Sequence, residues 1–266
     1  MTTLIAAFGL LVAVAAAVRS TWSPCGRSMM STITPIGERG RGHRYGATAC
    51  WFVLGGVLGG LCLGGLGAAA AVAIGSVHPS SVALGSVAAA AALVGAAFDV
   101  GLAGLRLPGT RRQVNERWLD RFRSGIYGVG FGWQIGIGLA TFVMTAGVYL
   151  VIVLGALTCD PWVAVALGAA FGTVRGMAVL LTRHVRSPEQ LRAFHRRFDA
   201  LGDGSRRAMV LAQLVSAVAI TAVLWPPAAL LLAAGAAVAT LCIRVRRRPA
   251  EGPSAGHRSP SAGATP

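Results

Sequence analysis

Two charged residues stand inside long apolar stretches of this 266-residue chain, Asp99 and Arg175. Charge within a membrane is costly, so such residues face each other or a water-filled cavity. Each lies a few residues before the cytoplasmic end of its stretch, at similar depth, and this predicts an ion pair. An arginine facing a cavity would instead bind an anion. A third position is marked by Trp22-Ser23-Pro24-Cys25-Gly26, which closes the first apolar stretch. Proline lacks the amide that a helix interior needs, so Pro24 predicts a break. Cys25 beside it is either a small lining group or a redox thiol. Gln134 is a further polar group for the same cavity. The candidate cavity or substrate residues are therefore Pro24, Cys25, Asp99, Gln134 and Arg175.

Other chemistry is not visible. There is no HExxH, GxSxG, P-loop or dinucleotide fingerprint, so no catalytic residue and no cofactor is expected. The five cysteines, Cys25, Cys50, Cys62, Cys159 and Cys242, form no CxxC and no metal-ligand spacing. Cys50, Cys62 and Cys242 read as small apolar filler. The five histidines all lie in gaps, interfacial segments or the tail, which argues against the histidine-rich motifs of nickel and cobalt exporters.

The elements that must position these residues are membrane helices. The chain is 55% hydrophobic and only 12% charged, too few charges for the surface of a soluble domain of this size. Its net charge is +15, and all 24 basic residues are Arg. These sit in the gaps between apolar runs, which points to anionic lipid and not to nucleic acid. Runs occur at about 4–23, 47–75, 82–105, 126–155, 161–182, 208–224 and 228–243. The first reaches spanning length only if it continues past Arg19, which would snorkel to the interface. No basic residue precedes it, so it reads as an uncleaved span with the N-terminus outside.

Arg-rich gaps at 24–46, 106–125 and 183–207 alternate with Arg-free gaps at 76–81 and 156–160. The positive-inside rule places the former in the cytoplasm of a multi-pass cell-membrane protein. The basic tail joins them if 208–243 crosses twice, which gives seven segments; six is the alternative. Three spans to about 105, a basic linker at 106–125 and a second set from 126 to 248 make two inverted three-span repeats, the second with an extra C-terminal helix. Residues 249–266 read as a disordered tail. Inverted repeats are a common transporter plan, with the site at their interface.

Gly56, Gly60 and Gly64, and again Gly128, Gly132 and Gly136, recur every four residues and form bare stripes on helices. In lipid, close backbone contact through small residues drives helix packing. The segment from Gly128 to Gly136 also reads as an irregular opening of span four, matching the break at Pro24 in span one. Two cytoplasmic stretches read as interfacial helices: one after the capping box Ser187-Pro188-Glu189-Gln190, carrying Leu191, Phe194, Phe198 and Leu201, and one with Val114, Trp118 and Phe122.

The Ser23-Pro24-Cys25 motif, the three-plus-three layout and the Gly130-Phe131-Gly132-Trp133 segment resemble the cytochrome c biogenesis thiol–disulfide carriers and the wider group that includes LysE-type exporters. The resemblance covers roughly residues 5–225. It implies that Cys25 would pair with a cysteine in span four and pass electrons to a thioredoxin-like partner. The second position falls near Gly136, and span four contains no cysteine. One thiol cannot make the intramolecular disulfide of that cycle. The expectation is therefore an all-α, polytopic small-solute transporter or exporter. A thiol-redox component and a non-transporting membrane subunit are the alternatives.

Overall fold

The computed structural model describes residues 1–105, 107–108, 121–230 and 232–233. Among these it is all helical. The elements are α1 (Thr2–Ser20), α2 (Pro24–Thr32), α3 (Pro35–Gly40), α4 (Tyr45–Gly75), α5 (Ser81–Val100), α6 (Ser124–Ile137), α7 (Gly147–Leu157), α8 (Pro161–Met177), α9 (Pro188–Ala200) and α10 (Gly202–Leu224). A 3₁₀ segment, Ala178–Thr182, extends α8. Five stretches are long and apolar enough to cross a bilayer: Thr2–Ser20, Tyr45–Gly75, Ser81–Val100, Pro161–Thr182 and Pro188–Leu224. The tail 249–266, most of the run 228–243, and Val114 and Trp118 lie outside the described residues.

The trunk is α4, packed between α6 and α8. Its 31 residues extend about 46 Å at about 1.5 Å per residue. Glycine is a poor helix former in water, but within lipid the backbone must bond to itself and the helix persists. The gain is contact. A Cβ added at Gly60 would lie 2.3 Å from the Gly168 carbonyl oxygen, and one at Gly56 2.9 Å from that of Gly172. Gly64 meets Val165, so α8 runs antiparallel to α4 through Gly168, Gly172 and Gly176, a third stripe with the same spacing. On the other side Gly128 faces Thr48 and Trp51, Gly132 faces Phe52, and Gly136 faces Gly56, so α6 runs parallel to α4. Both predicted stripes therefore pack backbone on backbone.

A second layer surrounds the trunk. Gly147 of α7 meets Ala16 of α1, and Gly9 meets Leu154, so these two helices are antiparallel. Gly85 meets Leu224 and Gly95 meets Gln213, which makes α5 and α10 antiparallel as well.

Some features differ from expectation or add to it. The stretch Gly128–Gly136 is regular helix within α6; its glycines serve packing and interrupt nothing. The break comes later: Gly138, at φ 70°, closes α6, and residues 138–146 are non-helical before α7 begins. A Cβ at Gly138 would press on Val148 and Phe171 in addition to its positive φ. The guanidinium of Arg19, in the last turn of α1, donates to the Gly202 carbonyl and the Ser205 hydroxyl. The loop 24–46 is folded, as α2 and α3. Finally, Cys50 and Cys62 are exposed on α4 and fill no core.

Candidate functional site

The first break lies at Thr21-Trp22-Ser23. Ser23 is extended (φ −63°, ψ 156°), and its hydroxyl caps α2 by accepting from the Gly26 amide at 3.2 Å. Pro24 occupies the first turn, where its missing amide has no consequence. The turn is so tight that a Cβ on Gly26 would lie 2.1 Å from the Thr21 carbonyl oxygen. Pro24 thus contributes to the break, but Ser23 and Gly26 fix it.

Arg175 of α8 reaches this break. It is the largest fully buried side chain among the described residues, at 2% exposure. Its Nη2 donates to Ser23 Oγ at 3.3 Å, its Cζ lies 5.8 Å from the centre of the Phe171 ring, and its Nε has no hydrogen-bond partner. Cys25, buried on the first turn of α2, is close enough to interact electrostatically with it. Phe171 touches Gly138 as well, so Arg175 and Phe171 join the two interrupted segments. Phe198 of α9 packs into the cluster that contains Cys25. Its ring stacks on Trp22 at 4.3 Å, and its carbonyl accepts from Trp22 Nε1. The Arg27–Asp199 ion pair and a Ser31–His195 contact at 3.1 Å hold α9 over α2.

The expected pair of Asp99 and Arg175 does not form. Among the described residues the ion pairs are Arg27–Asp199, Arg41–Glu38 and His43–Glu38. The physical reason is that α5 ends at Val100, with Gly101 in the left-handed region, so Asp99 sits in the last turn beside the second break. Its carboxylate accepts from Thr145 Oγ1 at 2.6 Å, Ala146 N at 2.9 Å and Gln213 Nε2 at 2.9 Å. Thr145 Oγ1 in turn accepts from Gly147 N. Asp99 therefore caps α7 from another helix, and negative charge at a helix N-terminus is favourable. Gln134 is half-buried on α6 and is not brought into either group by a described hydrogen bond.

A third polar group was not visible in the sequence. Glu38 of α3 is completely buried, paired with Arg41 at 3.1 Å and hydrogen-bonded by the Thr48 hydroxyl at 2.6 Å and by Tyr127. A lone acid in an arginine-rich gap reads as surface, and only the folding of α3 against α4 buries it. Gln213 was missed too; the signal was one amide within an otherwise apolar run.

No family model matches the chain, and no solved structure matches it. Several curated proteins do, each a methylamine utilization protein MauF. The protein of Methylobacillus flagellatus is 31% identical over 144 residues, 53% of this chain and 50% of that protein. That of Paracoccus versutus is 30% identical, covering 64% and 62% of the two chains. The matched region spans about half the length of the first of these relatives. The Paracoccus denitrificans protein is 32% identical over 205 residues, 73% of this chain and 71% of its own length. At this identity, and with more than two thirds of both chains covered, the chain belongs to the MauF family of methylamine utilization proteins.

Proposed function

We propose that the protein is a membrane carrier, serving methylamine utilization, that moves a small anionic solute past Arg175 between two inverted repeats. The observation that carries this reading is a fully buried guanidinium, with one nitrogen unpartnered and no acid paired to it among the described residues, held between two interrupted segments. Non-helical backbone within a bilayer is tolerated where it lines a cavity or is buried in protein, and broken helices at a repeat interface are where transporters hold substrate. The packing supports the repeat. The first-half helices α1, α4 and α5 pack on α7, α8 and α10 respectively, each pair antiparallel, as a two-fold axis in the membrane plane requires. In this plan α6 and α7 form one interrupted span, the N-terminus lies outside, and the arginine-rich gaps face the cytoplasm of the cell membrane.

A cationic centre repels methylammonium, so the reading assigns the protein to an anion and not to uptake of the amine. The test is flux in reconstituted vesicles loaded with small carboxylates and inorganic anions. Anion-dependent exchange by the natural protein, absent in Arg175→Met, supports the proposal. Equal flux in the two proteins, or uptake of labelled methylammonium, contradicts it.

One observation favours a second reading. Cys25 lies on the first turn of α2 beside Arg175. This is the position that the resemblance to thiol–disulfide carriers assigns to a redox cysteine. A mixed disulfide trapped between Cys25 and a thioredoxin-like partner would promote it.

A further inference from the structure

Asp99 poses a separate chemical problem. Its carboxylate has three neutral donors and makes no ion pair, and Arg19 acts on it only through space. The two nearby arginines are committed elsewhere: Arg206 donates to the backbone carbonyls of Asp99 at 2.8 Å and Val100 at 2.7 Å, and Arg19 to Gly202 and Ser205. Next to it, Gln213 is completely buried. Its Nε2 donates to Asp99 Oδ2, and its Oε1 has no hydrogen-bond partner. A carboxylate without an ion-pair partner stands beside a buried acceptor without a donor. A proton on the carboxylate removes its uncompensated charge and gives Oε1 a donor, with Nε2 passing to the place that Oε1 leaves.

We infer that Asp99 and Gln213 form a proton-binding site that controls the N-terminus of the half-helix α7. In the state described, the amide points its NH₂ at the carboxylate, which is the orientation an ionised Asp99 demands. When a proton binds Oδ2, the amide turns by half a rotation, and Oδ2–H donates to Oε1. Thr145 and Ala146 keep their hydrogen bonds to the remaining lone pairs. Gly95 leaves room for this turn, since a Cβ there would lie 3.0 Å from Nε2. Neutralising Asp99 removes the negative charge that caps α7 and loosens the junction of residues 138–146 with α5 and α10. The charged groups around Asp99 are Arg19 from α1, which acts on its carboxylate, and Arg206 from α10, which bonds its backbone carbonyl; Asp203 and Arg206 in turn act on Arg19, and α7 presents no charged residue. The site itself stands apart from the carrier reading. Only its consequence, that a proton is the coupling ion, rests on it.

The test is infrared difference spectroscopy of the full chain in lipid nanodiscs during acidification. The expected result is a component of the carboxylic-acid carbonyl band that is lost in Asp99→Asn, retained in Glu38→Gln and displaced in Gln213→Leu. If Asp99→Asn does not give folded protein, Gln213→Leu decides alone. A band unchanged in Gln213→Leu, or one that survives Asp99→Asn, overturns the site. Because the readout needs no transport, a proton site without flux leaves this inference standing and counts against the carrier.

Discussion

The trunk of α4, α6 and α8 and the layer of α1, α5, α7 and α10 are held together in different ways. In the trunk, backbone touches backbone through glycine, and few side chains intervene. In the outer layer, helices are interrupted, and hydrogen-bonded groups such as Asp99–Thr145–Gln213 and Ser23–Arg175 span the gaps. Where lipid replaces water no hydrophobic force draws helices together, so close packing must do so. A seam without side chains has little that can rearrange. Polar groups on broken backbone can exchange hydrogen-bond partners without moving a helix. The comparison assigns rigidity to the trunk and movement to the breaks.

The largest effect that would break this comparison is in the trunk. Gly60→Leu forces α4 and α8 apart, because even a Cβ would overlap the Gly168 carbonyl. Overpacking costs at least about 1–3 kcal/mol, and here backbone must move, so folded yield in detergent should collapse. Unchanged yield and melting temperature would show that the seam can yield.

Next comes Arg175→Met. A buried charge without an ion-pair partner carries a desolvation cost that an apolar side chain of similar volume does not. The variant should therefore keep or raise the melting temperature while flux is lost. A variant that unfolds would make Arg175 a structural element of the core. Ser23→Ala should have a smaller effect, about 1 kcal/mol for a lost helix cap together with reduced flux, because one hydroxyl serves both α2 and Arg175. Cys25→Ser keeps nearly the same volume and should leave most activity; its complete loss would favour the redox reading. The smallest effect is expected at Gly65→Ala. Nothing lies within 4 Å of a Cβ there, so stability should not fall, although Gly65 adjoins the seam residue Gly64.

Class and packing were legible in the sequence because they depend on spacing. Arg-rich and Arg-free gaps alternate, and glycine recurs every fourth residue. The stripe Gly168, Gly172 and Gly176 carried the same signal. The α6–α7 break was not legible, since it has no proline, and Gly138 stands among glycines that pack within helices. The Asp99–Arg175 pairing failed for a related reason. Apolar composition continues to Leu105, but α5 stops at Val100 on a left-handed glycine, and nothing in hydropathy marks that stop. Partners such as Gln213 and Glu38 depend on which helices become neighbours, which local pattern does not encode.

The central claim is that the buried centre at Arg175 opens to water. The direct measurement is maleimide labelling of Cys25 from each side of oriented vesicles, with Cys50, Cys62, Cys159 and Cys242 replaced by serine. The account predicts access from one side at a time, altered by small anions in the natural background and insensitive to them in Arg175→Met. Cys25 that stays unlabelled from both sides, with and without anions, would contradict it and leave the centre a packed core.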